Sequence, residues 1–114
     1  MELLEARRDG VLVLALKGRL DAVSAPSLQN LLEERIEHGD VRFTVDAAGL
    51  DYVSSSGLRV LLQVARQLEE RSGRIVLCSV QEPVRRIFEI AGFASLFHIY
   101  GSSQEAIQGC LSGD

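Results

Sequence analysis

Ser54, Ser55 and Ser56 set three hydroxyls side by side, immediately before Gly57 and a helix read from Leu58 onward. The first turn of a helix carries backbone N–H groups without an intrahelical acceptor, and the aligned peptide dipoles make that end positive. Two chemistries suit a hydroxyl there. It can cap the helix by accepting one of those N–H groups, which serine does well. It can also carry a phosphate, whose charge the same end of the helix tolerates. Arg59, three residues beyond Ser56, falls within side-chain reach on the same helical face. It reads either as a cation that tempers such a phosphate or meets a partner, or as a solvated helix charge.

The carboxylates that could surround this cluster are Asp21, Asp46 and Asp51. Asp21 reads as a cap or turn residue before the next helix, or as a partner contact. Asp46 and Asp51 read by default as loop residues bonded to their own backbone. Gly57 suits either a close approach of backbone to a partner or a tight helix start. Hydrolase chemistry is a poor fit: a nucleophile elbow needs Gly-x-Ser-x-Gly, yet Val53 and Ser54 precede the serines and Gly57 follows Ser56 directly. His98 has no serine or cysteine with an orienting acid near it in the sequence. A receiver-type phosphoacceptor aspartate at Asp46 would want a lysine late in the chain, and the only lysine is Lys17. These residues therefore point to a protein that is not an enzyme.

The elements that must position the cluster alternate strand-like and helix-like. Asp9-Gly10 is a hairpin turn signal between Leu3–Arg8 and Val11–Lys17. Ser24 and Pro26 open a helix with Leu28, Leu31, Leu32 and Ile36 at helical spacing, closed by Gly39. Val41, Phe43 and Val45 alternate as a strand that ends near Asp46, followed by a loop to Ser56. Leu58, Leu61, Leu62, Ala65 and Leu68 mark the helix after it. Residues 75–78 form a short apolar strand suited to cover on both faces. Pro83 fits a first helical turn, with Val84, Ile87, Phe88 and Ala91 as its apolar stripe. A strand over Leu96–Tyr100 and a capping-box pattern at Ser102–Glu105 precede a last helix. The pattern predicts one α/β domain over residues 1–114. Its mixed sheet of four to five strands starts with the N-terminal hairpin, and about four helices pack on it. Asp21 and the Ser54–Ser56 segment become neighbours if the second and third strands pair.

Bulk properties narrow the partners. A net charge of −4, with the eleven arginines scattered along the chain, argues against a nucleic-acid surface. Hydrophobic content of 46% and charged content of 25% suit a globular domain with a real core. No apolar stretch reaches membrane-spanning length and the first residues lack signal-peptide order, so a cytoplasmic protein without membrane insertion is expected. Cys78 and Cys110 have no ligand-like spacing to His38 or His98, so they read as reduced, buried thiols without metal or cofactor.

Taken in order, Gly18-Arg19-Leu20-Asp21, Asp46, Val53-Ser54-Ser55-Ser56-Gly57-Leu58, Val84-Arg85-Arg86-Ile87-Phe88 and Ala91-Gly92-Phe93 resemble the STAS domain of bacterial anti-sigma-factor antagonists, over essentially the whole chain. The family's junction motif is Asp-Ser-Ser-Gly-Leu, with the second serine phosphorylated. Laid on this chain, that serine is Ser56, the one before it is Ser55, and the family's aspartate falls on Ser54. Asp21 matches the acidic residue ending the family's second strand, and Asp46 the one ending the third.

The resemblance implies an anti-sigma factor antagonist. Its unphosphorylated form binds an anti-sigma factor that is itself a serine kinase of the ATP-binding anti-sigma type, releasing the sigma factor or an equivalent target. Phosphorylation of Ser56, with Ser55 as alternative, switches binding off, and a PP2C-like phosphatase restores it. Asp21, Asp46, Ser54, Ser55, Gly57, Leu58 and Arg59 form the implied partner surface, with Leu58 offered as an apolar contact and the acidic residues repelling the added phosphate. An unphosphorylated accessory subunit, of a phospholipid-transport ABC system or a signalling complex, is the alternative. Monomer and weak dimer both remain open.

Overall fold

The computed structural model describes residues 1–112. Five strands form one sheet in the order β1-β2-β3-β4-β5, so every strand lies beside its sequence neighbour. β1 (Glu2–Arg8) and β2 (Val11–Leu20) are the antiparallel hairpin, turned at Asp9 and Gly10, both with positive φ. From there the chain alternates: α1 (Ala25–Glu37), β3 (Arg42–Val53), α2 (Ser55–Glu69), β4 (Arg74–Cys78) and α3 (Glu82–Ile90). A 3-10 turn at Ala94–Leu96, the short β5 (Ile99–Tyr100) and α4 (Ser103–Ser112) complete it. β2, β3, β4 and β5 pair in parallel, with helices as the crossovers.

The two sheet faces are dressed unequally. Leu12, Leu14, Leu16, Phe43, Val45, Ile75 and Leu77 point to one face, under α1, α2 and α3. Leu28, Leu32 and Ile36 come down from α1, Leu58, Leu61, Val64 and Leu68 from α2, and Val84 and Phe88 from α3. The other face carries a smaller cluster in which α4 lays Ala106, Ile107 and Cys110 against Val11, Val76 and Cys78. Both thiols are free and buried. Burial pushes the Cys78 thiol up to about 11, helped by the charge of Asp46.

Four boundaries differ from the expected ones, the first being that of β2, which runs past Lys17 to Leu20. β3 does not stop near Asp46 but runs on to Val53. Two register shifts against β2 accommodate it, one between Ala15 and Lys17 and one between Gly18 and Arg19. Each puts an extra residue on β3 and breaks the period-two pattern that marks a strand in sequence. Gly18 sits at φ +101, which glycine adopts without cost. The α2 helix begins at Ser55, three residues before Leu58. The last strand shrinks to Ile99–Tyr100, and His98 is exposed outside it.

Candidate functional site

The extended β2 and β3 ends meet as a pair, Leu20 opposite Val53, and the Ser54 N–H donates to the Leu20 carbonyl at 2.8 Å. The expected adjacency of the Asp21 turn and the serine cluster therefore holds. The three serines then separate in role by position. Ser54 is the N-cap residue of α2, with extended backbone and its Oγ accepting the Gly57 N–H at 3.2 Å. Its hydroxyl is spent on the helix. Ser55 is exposed and Ser56 half-buried, one residue on. Ser55 faces a hollow between α2 and the end of α3, whose far wall is Ala91 and Phe93. Ser56 faces a second hollow, between α1 and α2, lined across the gap by Ala22, Pro26 and Gln29. Arg59 is exposed and lines both.

Gly57 and Leu58, expected on a partner surface, are buried. A Cβ on Gly57 would lie 2.6 Å from Leu20 Cγ and 3.0 Å from the Leu20 carbonyl oxygen. The glycine therefore lets α2 rest on the end of β2, and no partner needs to approach it. Leu58 is 3% exposed and belongs to the main core, so it is a packing residue and not a contact offered outward. Its burial follows from the helical spacing that puts position 58 on the same face as Leu61 and Leu68.

The acidic residues also resolve differently from one another. Asp21 Oδ1 accepts the Val23 N–H at 3.0 Å and the Ser24 N–H at 3.1 Å, while the Asp21 N–H donates to Ser24 Oγ at 2.9 Å. Ser24 in turn donates to the Arg19 carbonyl at 2.8 Å. These bonds, the Ser24 N–H first, hold the Asp21 carboxyl below its usual range. Asp21 thus does the turn duty its type suggests. Asp46 lies mid-strand, opposite Ala15 on one side and Cys78 on the other. Its Oδ1 accepts the Ala48 N–H at 3.0 Å, across the first bulge. Six residues of strand lie between it and Val53, on the order of 20 Å of chain. The expectation that Asp46 crowds a phosphate on Ser56 is corrected by that length. Asp51 is exposed on β3.

Several neighbours of the cluster leave no mark in the sequence. Arg19 and Tyr52 pair across β2 and β3, with the guanidinium carbon 4.3 Å from the ring centroid, and Arg19 Nε stands 3.8 Å from Asp21 Oδ2. Their pairing depends on the second bulge, which no spacing announces. Val23 and Ile90 are each 87% exposed, and each is the chain neighbour of a residue lining one of the hollows, Ala22 for the Ser56 hollow and Ala91 for the Ser55 hollow. Val23 lies in a turn and Ile90 at the end of a stripe, where apolar residues look like core.

Comparison with known proteins agrees with this geometry. The STAS domain model matches residues 5–106, and the chain belongs to the STAS domain family. BtrV of Bordetella bronchiseptica, which carries the name of an anti-sigma factor antagonist, is 40% identical over 93% of this chain and 91% of its own. Among solved structures, an anti-sigma factor antagonist from Thermotoga maritima superposes with a TM-score of 0.90 at 17% identity, covering 96% of this chain and 94% of that one. The antagonist SpoIIAA in its unphosphorylated form superposes at 0.86 with 22% identity, covering 97% of each chain. Its phosphorylated form, from Bacillus, superposes at 0.75 with 22% identity, covering 94% of this chain and 97% of that one. The structural likenesses carry the fold. The relatives carry the antagonist name, and the accessory-subunit alternative is not favoured by them. Among the described residues no helix is long and apolar enough to cross a membrane, and no cluster of His, Cys, Asp or Glu is arranged to hold a metal ion.

Proposed function

We propose that this chain is an anti-sigma factor antagonist whose unmodified form binds an anti-sigma factor with serine-kinase activity, and that phosphorylation of Ser56 ends the binding. The observation that carries the reading is the division of labour at the start of α2. Ser54 is consumed as a cap, while Ser56 holds a half-exposed hydroxyl in the first turn, where the family's phosphoserine falls. Val23 in the turn before α1 and Ile90 at the end of α3 leave large apolar side chains in water, a feature that suits a protein contact. Relatives named for the antagonism of sigma F and sigma B anti-factors support the same partner class.

In the proposed transfer, Ser56 Oγ attacks the γ-phosphorus of the partner's ATP. The Oγ–P bond forms as the bond to the bridging β,γ-oxygen breaks, the hydroxyl proton is released, and ADP leaves. The product carries about −1.5 to −2 charges at one point of a contact surface that bound without it. A PP2C-like phosphatase would reverse the step. The replacement of the family's aspartate by Ser54 keeps the cap, since serine and aspartate cap about equally well, but removes one negative charge next to the acceptor.

The test is incubation with an ATP-binding anti-sigma-type serine kinase, followed by mass spectrometry of the peptide that spans Ser54–Ser56. A single phosphate on Ser56, abolished by Ser56→Ala, is the expected result. A phosphate on Ser55 that persists in Ser56→Ala would move the acceptor by one residue. No incorporation with kinases that bind the protein would refute the switch.

A further inference from the structure

We infer that Arg59 is the residue that holds the phosphate on Ser56, and that this capture takes the cation out of the partner-binding surface. The inference rests on the phosphorylation reading above and adds the means by which the modification acts. Acidic crowding is a weak explanation of the switch in this chain. Asp46 is far along β3, Asp21 has Arg19 as a counter-charge at 3.8 Å, and Ser54 stands where the family has an aspartate.

What does stand beside Ser56 is a cation. Among the described residues, Arg59 is the only charged side chain lining either hollow at the start of α2. It shares the α1-side hollow with Ser56 and the α3-side hollow with Ser55. It has no ion-pair partner among the described residues, while Arg7, Arg19, Arg35 and Arg86 each have a carboxylate. Residues three apart on a helix are neighbours, and a guanidinium can grip a phosphate with two parallel N–H bonds. The facing α1 wall offers Gln29 and no competing charge. In the unmodified protein Arg59 is free to meet an acidic group of the kinase. In the phosphorylated protein its nearest anion is its own.

Phosphoserine placed at position 56 by codon reassignment gives a direct test that needs no kinase to write the mark. Titration by 31P NMR is expected to find the second phosphate pKa lower than in Arg59→Gln by roughly half a unit or more. Arg59→Lys should recover part of the shift, and about 0.5 M salt should shrink it. Arg59 is exposed, so these variants should keep the fold, which circular dichroism checks. Equal pKa values with and without Arg59 would overturn the capture. Binding to the kinase supplies the second arm. The loss of affinity caused by phosphoserine should be smaller, by about threefold or more, in Arg59→Gln than in the parent. An unchanged loss in both backgrounds would also overturn it while leaving the Ser56 switch intact. Should phosphoserine cause no loss at all while the 31P shift is present, the pairing stands and the switch reading falls.

Discussion

At the scale of single residues, the site is defined by what each small side chain is excluded from doing. Ser54 Oγ is engaged with the Gly57 N–H, so the hydroxyl most naturally read as a cap is one. Gly57 has no partner role to explain, because the space for its Cβ is taken by Leu20. Gly57→Ala is expected to cost about 1–2 kcal/mol, because overpacking against a buried leucine exceeds the helix-propensity gain of alanine. Urea unfolding should show a lower midpoint at unchanged slope. A midpoint at or above that of the parent would mean that α2 lifts off β2 without penalty, and the packing account of Gly57 would be wrong. The identity of the serine cluster was legible in the sequence, since three hydroxyls before a helical run admit few roles. Which hydroxyl caps was not, because that depends on the helix starting at Ser55, where no apolar periodicity has yet begun.

The elements explain the rest of that gap. β1, the start of β2, α1, α3 and α4 lie close to where turn dipeptides, proline and apolar spacing put them, and Ser102 Oγ does accept the Glu105 N–H at 3.2 Å. β3 is the exception. After Val45 its sequence turns to Ala47, Ala48 and Gly49, residues of low strand preference, and two bulges scramble the alternation. Side-chain bonds stabilise this stretch: locally Asp46 accepts from the Ala48 N–H, and from a distance Gln81, ahead of α3, donates to the Ala48 carbonyl at 2.6 Å. The extension matters because it carries the serines beyond the end of β4, into contact with the Asp21 turn. For α2 itself, Ser54→Ala should cost about 1 kcal/mol and Ser54→Asp should be neutral or stabilising by a few tenths, given the positive helix end. Thermal melts of the two variants check the pair, and an alanine variant as stable as the parent would show that the cap bond carries no weight.

For the whole molecule, the charges and thiols set how it responds to conditions. Glu5 is bridged by Arg35, and Asp40 by Arg7, tying the hairpin to α1 and its end. The bonds to these arginines hold both carboxyls below their ordinary values of 4.5 and 3.8. A depressed carboxylate adds stability that is complete above its unfolded value and is lost as pH falls through the folded one. Stability should therefore hold from neutrality to about pH 5 and decline from about pH 4.5 downward, with part of that slope removed by Asp40→Asn. Chemical unfolding across pH measures it, and an unchanged slope in the variant would assign the acid sensitivity elsewhere. The thiols offer an independent reading of the same fold. With Cys78 buried and its pKa pushed to about 11, and Cys110 buried on the sheet-facing side of α4, neither should react with a thiol reagent near pH 8 until the chain unfolds. Rapid native-state labelling would show that α4 opens from the sheet.

These scales converge on the start of α2, where a cap, a half-buried serine proposed as the phosphoacceptor and a packed glycine lie within four consecutive positions. The affinity of the unmodified and the Ser56-phosphorylated chain for one ATP-binding anti-sigma-type serine kinase, measured side by side by titration calorimetry, tests the account most directly. Phosphorylation is expected to weaken the complex by at least about tenfold, or about 1.4 kcal/mol. Equal affinity of the two forms would contradict it.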